Sequence, residues 1–168
     1  MYMDVGKERN ILEYQPLTSQ YDADVAALIR VSLKANHLDI PGTVYFDEGL
    51  DHLSEYYSDP HRAYYVLLEG DSVIGCIGLA EFQYFGDDCC ELQKLYVSST
   101  HQGRGLGYKL VRFIESRARE MGYRKMYLET HTNLQTAIQL YEVCGYQQIQ
   151  RPESVVHSTM NRFYLKEL

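Results

Sequence analysis

Three glycines within five positions carry the most chemical information in this 168-residue sequence. They lie in Leu95-Tyr-Val-Ser-Ser-Thr-His-Gln-Gly-Arg-Gly-Leu-Gly-Tyr-Lys109, where a β-type run passes into Gly103, Gly105 and Gly107 and a helical pattern begins at once. Glycine lets the chain turn sharply and brings bare N–H groups against a ligand. The first turn of a helix leaves four N–H donors unpaired and carries about half a positive charge, which suits a phosphate or diphosphate. Two nucleotide patterns fail on this spacing. Counted from Gly103, GxxxxGK[ST] puts Tyr108 where its second glycine belongs; GxGxxG fails at the same residue and, started from Gly105, ends on Leu110. From Arg104 to Lys125 the chain holds seven basic and two acidic residues, a local charge of +5. Arg104, Lys109 and Arg112 fall near the helix start, within reach of phosphates, whereas Arg117 and Arg119 fit a solvated face.

The other reactive residue types are arranged less pointedly. Cys76, Cys89, Cys90 and Cys144 form no CxxC, and the adjacent pair does not suit normal disulfide geometry, so all four read as reduced, half-buried thiols. The six histidines form no HxxxH or HExxH, and no metal is expected. With 16 basic and 23 acidic residues the chain carries -7, which opposes wrapping around nucleic acid or an anionic membrane. No run approaches the ~18–20 apolar residues of a membrane span. Residues 1–10 are polar and lack the apolar core of a signal peptide, so the expected compartment is the cytosol. The length suits one domain, which at this size buries about 70 % of its unfolded surface without a staple.

The elements that position the glycine loop follow from hydrophobic period. Residues 1–10 read as a flexible lead-in and 11–168 as one domain. A first strand is expected over 11–17. A helix capped by Thr18 or Ser19 presents Val25, Leu28, Ile29 and Leu33 on one face, and a weaker one over 47–57 presents Leu50, Leu53 and Tyr57. Residues 63–68 and 72–80 read as strands about a tight 69–71 turn. Residues 91–97 are a third strand in the series. The helix over 105–121 carries Leu106, Leu110, Phe113, Ile114 and Ala118 as its apolar stripe, and Gly122 ends it. A strand over 125–130 and a helix over 133–144 follow, the latter with Thr132 and Gln135 as capping box. Residues 146–150 and 162–166 close the sheet. The strand–helix–strand from residue 91 implies a crossover between parallel strands, after hairpin-ordered antiparallel ones. The fold class is α+β, with a mixed, mostly antiparallel central sheet flanked by helices on both faces.

Gln102-Gly-Arg-Gly-Leu-Gly107 resembles the Q/R-x-x-G-x-G/A motif of the GNAT superfamily of acyl-CoA-dependent N-acetyltransferases. Ala137-Ile-Gln-Leu-Tyr-Glu-Val-Cys-Gly-Tyr146 is similar to that superfamily's second signature, A-x-x-L-Y-E-x-x-G-F. The resemblance is specific from about residue 91 to 149, and the upstream order of helices and strands is GNAT-like too. It implies that main-chain groups of Leu95, Tyr96 and Val97 pair with the pantetheine arm of acetyl-CoA as an added strand. It implies that N–H groups across Gln102, Gly103, Arg104, Gly105, Leu106, Gly107 and Tyr108 cradle the diphosphate. Tyr141 then faces the thioester sulfur. The asparagine often found three residues before the signature alanine is Leu134 here, and the neighbouring Asn133 takes the cofactor-binding assignment.

The reaction sets its own demands. An alkyl amine with pKa near ~10.4 is about 0.04 % neutral at pH 7, a cost of roughly 4–5 kcal/mol before attack. A base and a low-dielectric site both help. A tetrahedral oxyanion needs a donor such as a main-chain N–H near Val97. Tyr141 suits the general acid for the departing thiolate. For the base, Glu91 heads the strand that enters the loop and some members of the superfamily place a carboxylate there; Glu81 competes. The resemblance also puts the acceptor pocket at about 36–57, where His37, Asp39, Tyr45, Phe46, Asp47, Glu48 and Asp51 favour a cationic amine. The expected function is transfer of acetyl from acetyl-CoA to a primary amine of a small molecule or peptide by direct ternary-complex attack, with a homodimer an allowed assembly. The alternatives are a non-catalytic acyl-CoA-binding or scaffold module, and a nucleotide-phosphate binder using the same glycines.

Overall fold

The computed structural model describes residues 11–156 and 158–168; the expected lead-in over 1–10 lies outside them. Among the described residues, seven strands form one sheet: β1 (Leu12–Pro16), β2 (Ala63–Glu69), β3 (Ser72–Glu81), β4 (Cys89–Val97), β5 (Lys125–Thr130), β6 (Gln147–Ile149) and β7 (Arg162–Glu167). Their order is β1-β2-β3-β4-β5-β7-β6. Every neighbouring pair is antiparallel except β4 and β5. Four helices, α1 (Asp22–Ala35), α2 (Leu53–Tyr56), α3 (Leu106–Glu120) and α4 (Gln135–Val143), cover the two faces. The mixed α+β class read from the sequence is the observed one.

Alternation along the strands decides which helix each face receives. Val25, Ile29 and Leu33 of α1 pack with Leu53 and Tyr57 against Tyr64, Val66, Leu68 and Cys76. On the opposite face, Leu106, Leu110, Val111, Ile114 and Ala118 of α3 and Tyr141 of α4 cover Leu67, Ile74, Ile77, Leu79 and Leu92. Each fully buried aliphatic side chain contributes about 1.5–3 kcal/mol, so this two-sided core fixes the sheet between its helices.

Three local expectations change. Thr18 and Ser19 give no side-chain cap; a 3₁₀ turn over Ser19–Tyr21 leads into α1 instead. The helix expected over 47–57 is a 3₁₀ turn, Glu48–His52, followed by the single-turn α2. Its start is capped from a distance, since the Asp22 carboxylate accepts from the Ser54 N–H at 2.9 Å and from its hydroxyl at 2.5 Å. Leu50 and Leu53 are still buried, packed in the same cluster as Val25, Ile29 and Leu33. The Thr132 capping box does not form: the Thr132 hydroxyl accepts from Asn161 at 3.2 Å, and Leu134 occupies the N-cap of α4.

Candidate functional site

The parallel ladder between β4 and β5 is three residues long. Cys89 pairs with Lys125, Cys90 with Met126 and Glu91 with Tyr127; beyond that the strands separate. From Leu92 to Val97 the β5-facing side of β4 has no strand partner, which leaves main-chain groups that seek hydrogen bonds from something else.

A bulge lies within this stretch. Between the pairs Cys76–Tyr96 and Gly78–Gln93, one residue of β3 faces two of β4, and Lys94 takes φ +50. Its carbonyl is held by the Tyr64 hydroxyl at 2.7 Å. The extra residue reverses the alternation. Cys90 and Leu92 point to the α3 face before it, and Leu95 and Val97 do so after it, while Tyr96 joins the α1 face.

The separated strands open into a cavity of about 600 Å³. Leu95, Tyr96, Val97, Gln102, Gly103, Gly105, Leu106, Gly107, Tyr108, Asn133 and Tyr141 all line it, eleven of the thirteen residues expected to bind the coenzyme or to serve as acid (Tyr141) or base (Glu91). Gly103 at φ +80 and Gly105 at φ +71 need glycine's backbone freedom, and a Cβ on either meets nothing within 4 Å. Gly107 has another reason to be small: a Cβ there comes within 2.9 Å of Leu140 on α4. The loop thus presents bare backbone to the cavity at the start of α3. Open backbone at a helix start is a surface that suits an anionic group.

Arg104 and Glu91 lie outside that lining. The Arg104 guanidinium turns to Glu69 at the end of β2, at 2.8 Å. Glu91 sits at the foot of the split, on the sheet face that receives α1 and α2. Gln93 Nε2 donates to Glu91 Oε1 at 2.5 Å, and the Tyr57 hydroxyl donates to Gln93 Oε1 at 2.6 Å. The phenol fixes the amide's orientation, so the amide has only its N–H to offer the carboxylate. Burial pushes the Glu91 carboxyl up to about 7 against the partial relief of the Gln93 bond, and the neighbouring Glu129 charge raises it further. Glu129 lines the cavity on β5, where Tyr127 and Ser158 donate to it at 2.9 and 3.0 Å.

The rival carboxylate is engaged elsewhere. Arg62 grips Glu81 with Nε at 3.0 Å and a terminal nitrogen at 2.7 Å, which holds its carboxyl below the ordinary range. Asp51 is likewise bound by Arg30 through two 2.8 Å bonds, which leaves it poorly suited to a cationic acceptor.

Tyr141 is buried, reaches the cavity, and has its phenol raised by burial. It donates no hydrogen bond to another described residue. Tyr96 also lines the cavity, its phenol raised by burial and by the neighbouring Cys76 and Tyr141. The Asn133 side chain donates to the Asn36 carbonyl at 3.0 Å and so ties the lead-in of α4 to the end of α1. Sequence reasoning missed Tyr57, Gln93 and Glu129 as site residues. The period-2 pattern places Gln93 beside Glu91, but the strand register that brings Glu129 and Tyr57 near them has no local signal.

The sequence model of the Acetyltransferase (GNAT) family matches residues 30–146. The uncharacterized N-acetyltransferase YjgM of Escherichia coli is 39 % identical over 134 residues, 79 % of this chain and 80 % of that one. The probable N-acetyltransferase family 8 member 5 of Mus musculus is 35 % identical over 97 residues, 56 % of this chain and 43 % of that one. Among solved structures, a GNAT-family acetyltransferase of Staphylococcus aureus Mu50 superposes with a TM-score of 0.81 at 20 % identity, covering 94 % of this chain and 99 % of its own. The PaiA N-acetyltransferase of Thermoplasma acidophilum in complex with coenzyme A superposes at 0.75 and 15 % identity, over 94 % and 99 % of the two chains.

Proposed function

Because the chain belongs to the GNAT acetyltransferase family, we propose that residues 11–168 form one catalytic unit that transfers acetyl from acetyl-CoA directly to a primary amine of a small molecule or peptide. The observation that carries this reading is the opening of β4 from β5 immediately after Glu91, into a cavity whose other wall is the glycine loop and Tyr141. The residues fit the coenzyme. The unpartnered edge of β4 at Leu95–Val97 suits the amide groups of a pantetheine arm, and the open backbone from Gln102 to Tyr108 suits its diphosphate. Bound there, acetyl-CoA supplies an activated acyl group and a good leaving sulfur.

The chain's own groups then divide the proton work. Glu91, lifted to about 7, accepts the proton that the attacking ammonium must lose, directly or through one water. Gln93 holds one of its oxygens and leaves the other for that proton. A main-chain N–H near Val97 meets the carbonyl oxygen as negative charge grows on it. As the C–N bond forms and the C–S bond breaks, Tyr141 donates its phenolic proton to the sulfur, and the second proton shed by the nitrogen returns through water to that phenolate. None of the four cysteines serves as acyl carrier in this scheme: all are free and buried, and burial pushes Cys76 up to about 12 and Cys89 up to about 11. Unbridged thiols also fit a reducing, cytosolic setting.

The test is thiol release from acetyl-CoA with a panel of primary amines and peptides. Amine-dependent release is the expected result. No release across the panel, with coenzyme binding intact, contradicts the catalytic reading.

A further inference from the structure

The glycine loop has few ties to the rest of the fold. Gln102, Gly103, Arg104 and Gly105 are all exposed, and the two positive-φ glycines have no neighbours for a side chain to reach. Among the described residues, the loop's side-chain ties to another element converge on one carboxylate. Arg104 reaches Glu69 Oε2 at 2.8 Å, and His101 Nε2 lies 3.6 Å from Glu69 Oε1. Glu69 is itself firmly placed. Its backbone pairs with Leu12 of β1 and with Ser72 of β3, and its side chain is only 16 % exposed while that of Arg104 is 44 % exposed.

We infer that Glu69 is a positioning residue for coenzyme binding: from the end of the β2–β3 hairpin it fixes Arg104 and His101, and thereby holds the loop's N–H groups in the geometry that receives the diphosphate. The inference rests on the coenzyme reading given above. A glycine-rich loop left free must be ordered when ligand arrives, at a cost in conformational entropy, so a loop anchored beforehand binds more tightly. A pair whose carboxylate is largely shielded from water resists screening better than an open surface pair.

The sign of the effect separates anchoring from simple charge. Glu69→Gln removes a negative charge close to the site of a diphosphate. Coulomb's law alone then requires tighter binding. Loss of the anchor requires weaker binding.

Calorimetric titration with CoA, beside titration with pantetheine, which lacks the diphosphate, reads the difference. Glu69→Gln is expected to weaken CoA about tenfold, or ~1.4 kcal/mol, with pantetheine affinity within twofold of the unsubstituted chain. Where turnover is measured, the loss falls on the acetyl-CoA KM rather than on kcat. Arg104→Ala, a change on an exposed loop residue, gives the same loss if Glu69→Gln fails to fold, and the double variant is no weaker than the weaker single one. CoA binding that is unchanged or tighter in Glu69→Gln, or lost equally for pantetheine, overturns the inference. An unsubstituted chain that does not bind CoA at all overturns the coenzyme reading instead, so the two failures are distinct.

Discussion

Glu91 and Tyr127 are the last residues that β4 and β5 hold in register; one step further the two strands part. A carboxylate therefore stands at the vertex of a split whose open end leads to the glycine loop. Its burial, its bond from Gln93 and its neighbour Glu129 follow from that position.

The first prediction concerns pH. As the proposed base, Glu91 accepts a proton only when ionised, so kcat/KM is expected to rise with pH through about 7 and level above it. Glu91→Gln removes this limb and lowers kcat/KM by about 10²–10⁴. Stability moves the other way. A carboxyl whose folded pKa exceeds its unfolded one binds more protons when folded, so the ionised group costs stability as pH rises from about 4.5 through about 7. Gln stands in for the protonated form, and Glu91→Gln is expected to melt higher than the unsubstituted chain at pH 8 but not at pH 4. Equal melting at both values contradicts a carboxyl raised by burial.

Tyr141→Phe removes one hydroxyl and keeps the ring that packs near Tyr146 and Tyr164. Turnover is expected to fall about 10²-fold while CoA affinity stays within about twofold. A loss confined to CoA affinity, with turnover at saturation retained, makes Tyr141 a packing residue.

Much of this was legible in the sequence, and the missing parts share a cause. The strand, glycines and helix of 91–121 announce themselves locally, through period, φ > 0 and helix-start chemistry. The identical limits of β5 at 125–130 in the reading and in the structure have the same origin. What escaped depends on contacts between distant segments. Asp22 bonds to Ser54 across 32 positions, and the helix expected from Leu50, Leu53 and Tyr57 forms as a 3₁₀ turn followed by a single α-helical turn. Nothing local separates Glu91 from Glu81; the contact that engages Glu81 comes from Arg62, nineteen positions away. The bulge at Lys94 has no glycine or proline to mark it, although it decides which side chains of β4 face the cavity.

The cysteines give a negative prediction. With every thiol buried and raised by burial, native protein at pH 7.5 is expected to resist alkylation by iodoacetamide over the time in which unfolded protein labels fully. Initial rates against both substrates should intersect rather than run parallel, as direct transfer requires. Rapid labelling of one thiol with loss of activity points instead to an acyl-cysteine route.

Gly105 allows strain and charge to be separated. At φ +71, Gly105→Ala and Gly105→Asp share a backbone cost of roughly 1–2 kcal/mol. Only Asp adds a negative charge toward the cradle. CoA affinity is expected to drop about 100-fold more in Asp than in Ala, and equal affinities in the two variants place the diphosphate elsewhere.

The most direct measurement is a crystal structure of the chain with bound CoA. The account predicts diphosphate density against the main-chain N–H groups of Gly103–Tyr108, a pantetheine arm along Leu95–Val97, and the sulfur between Tyr141 and the foot of the split at Glu91. Density for the coenzyme on any other surface, or in the cleft with its sulfur directed away from Glu91, contradicts it.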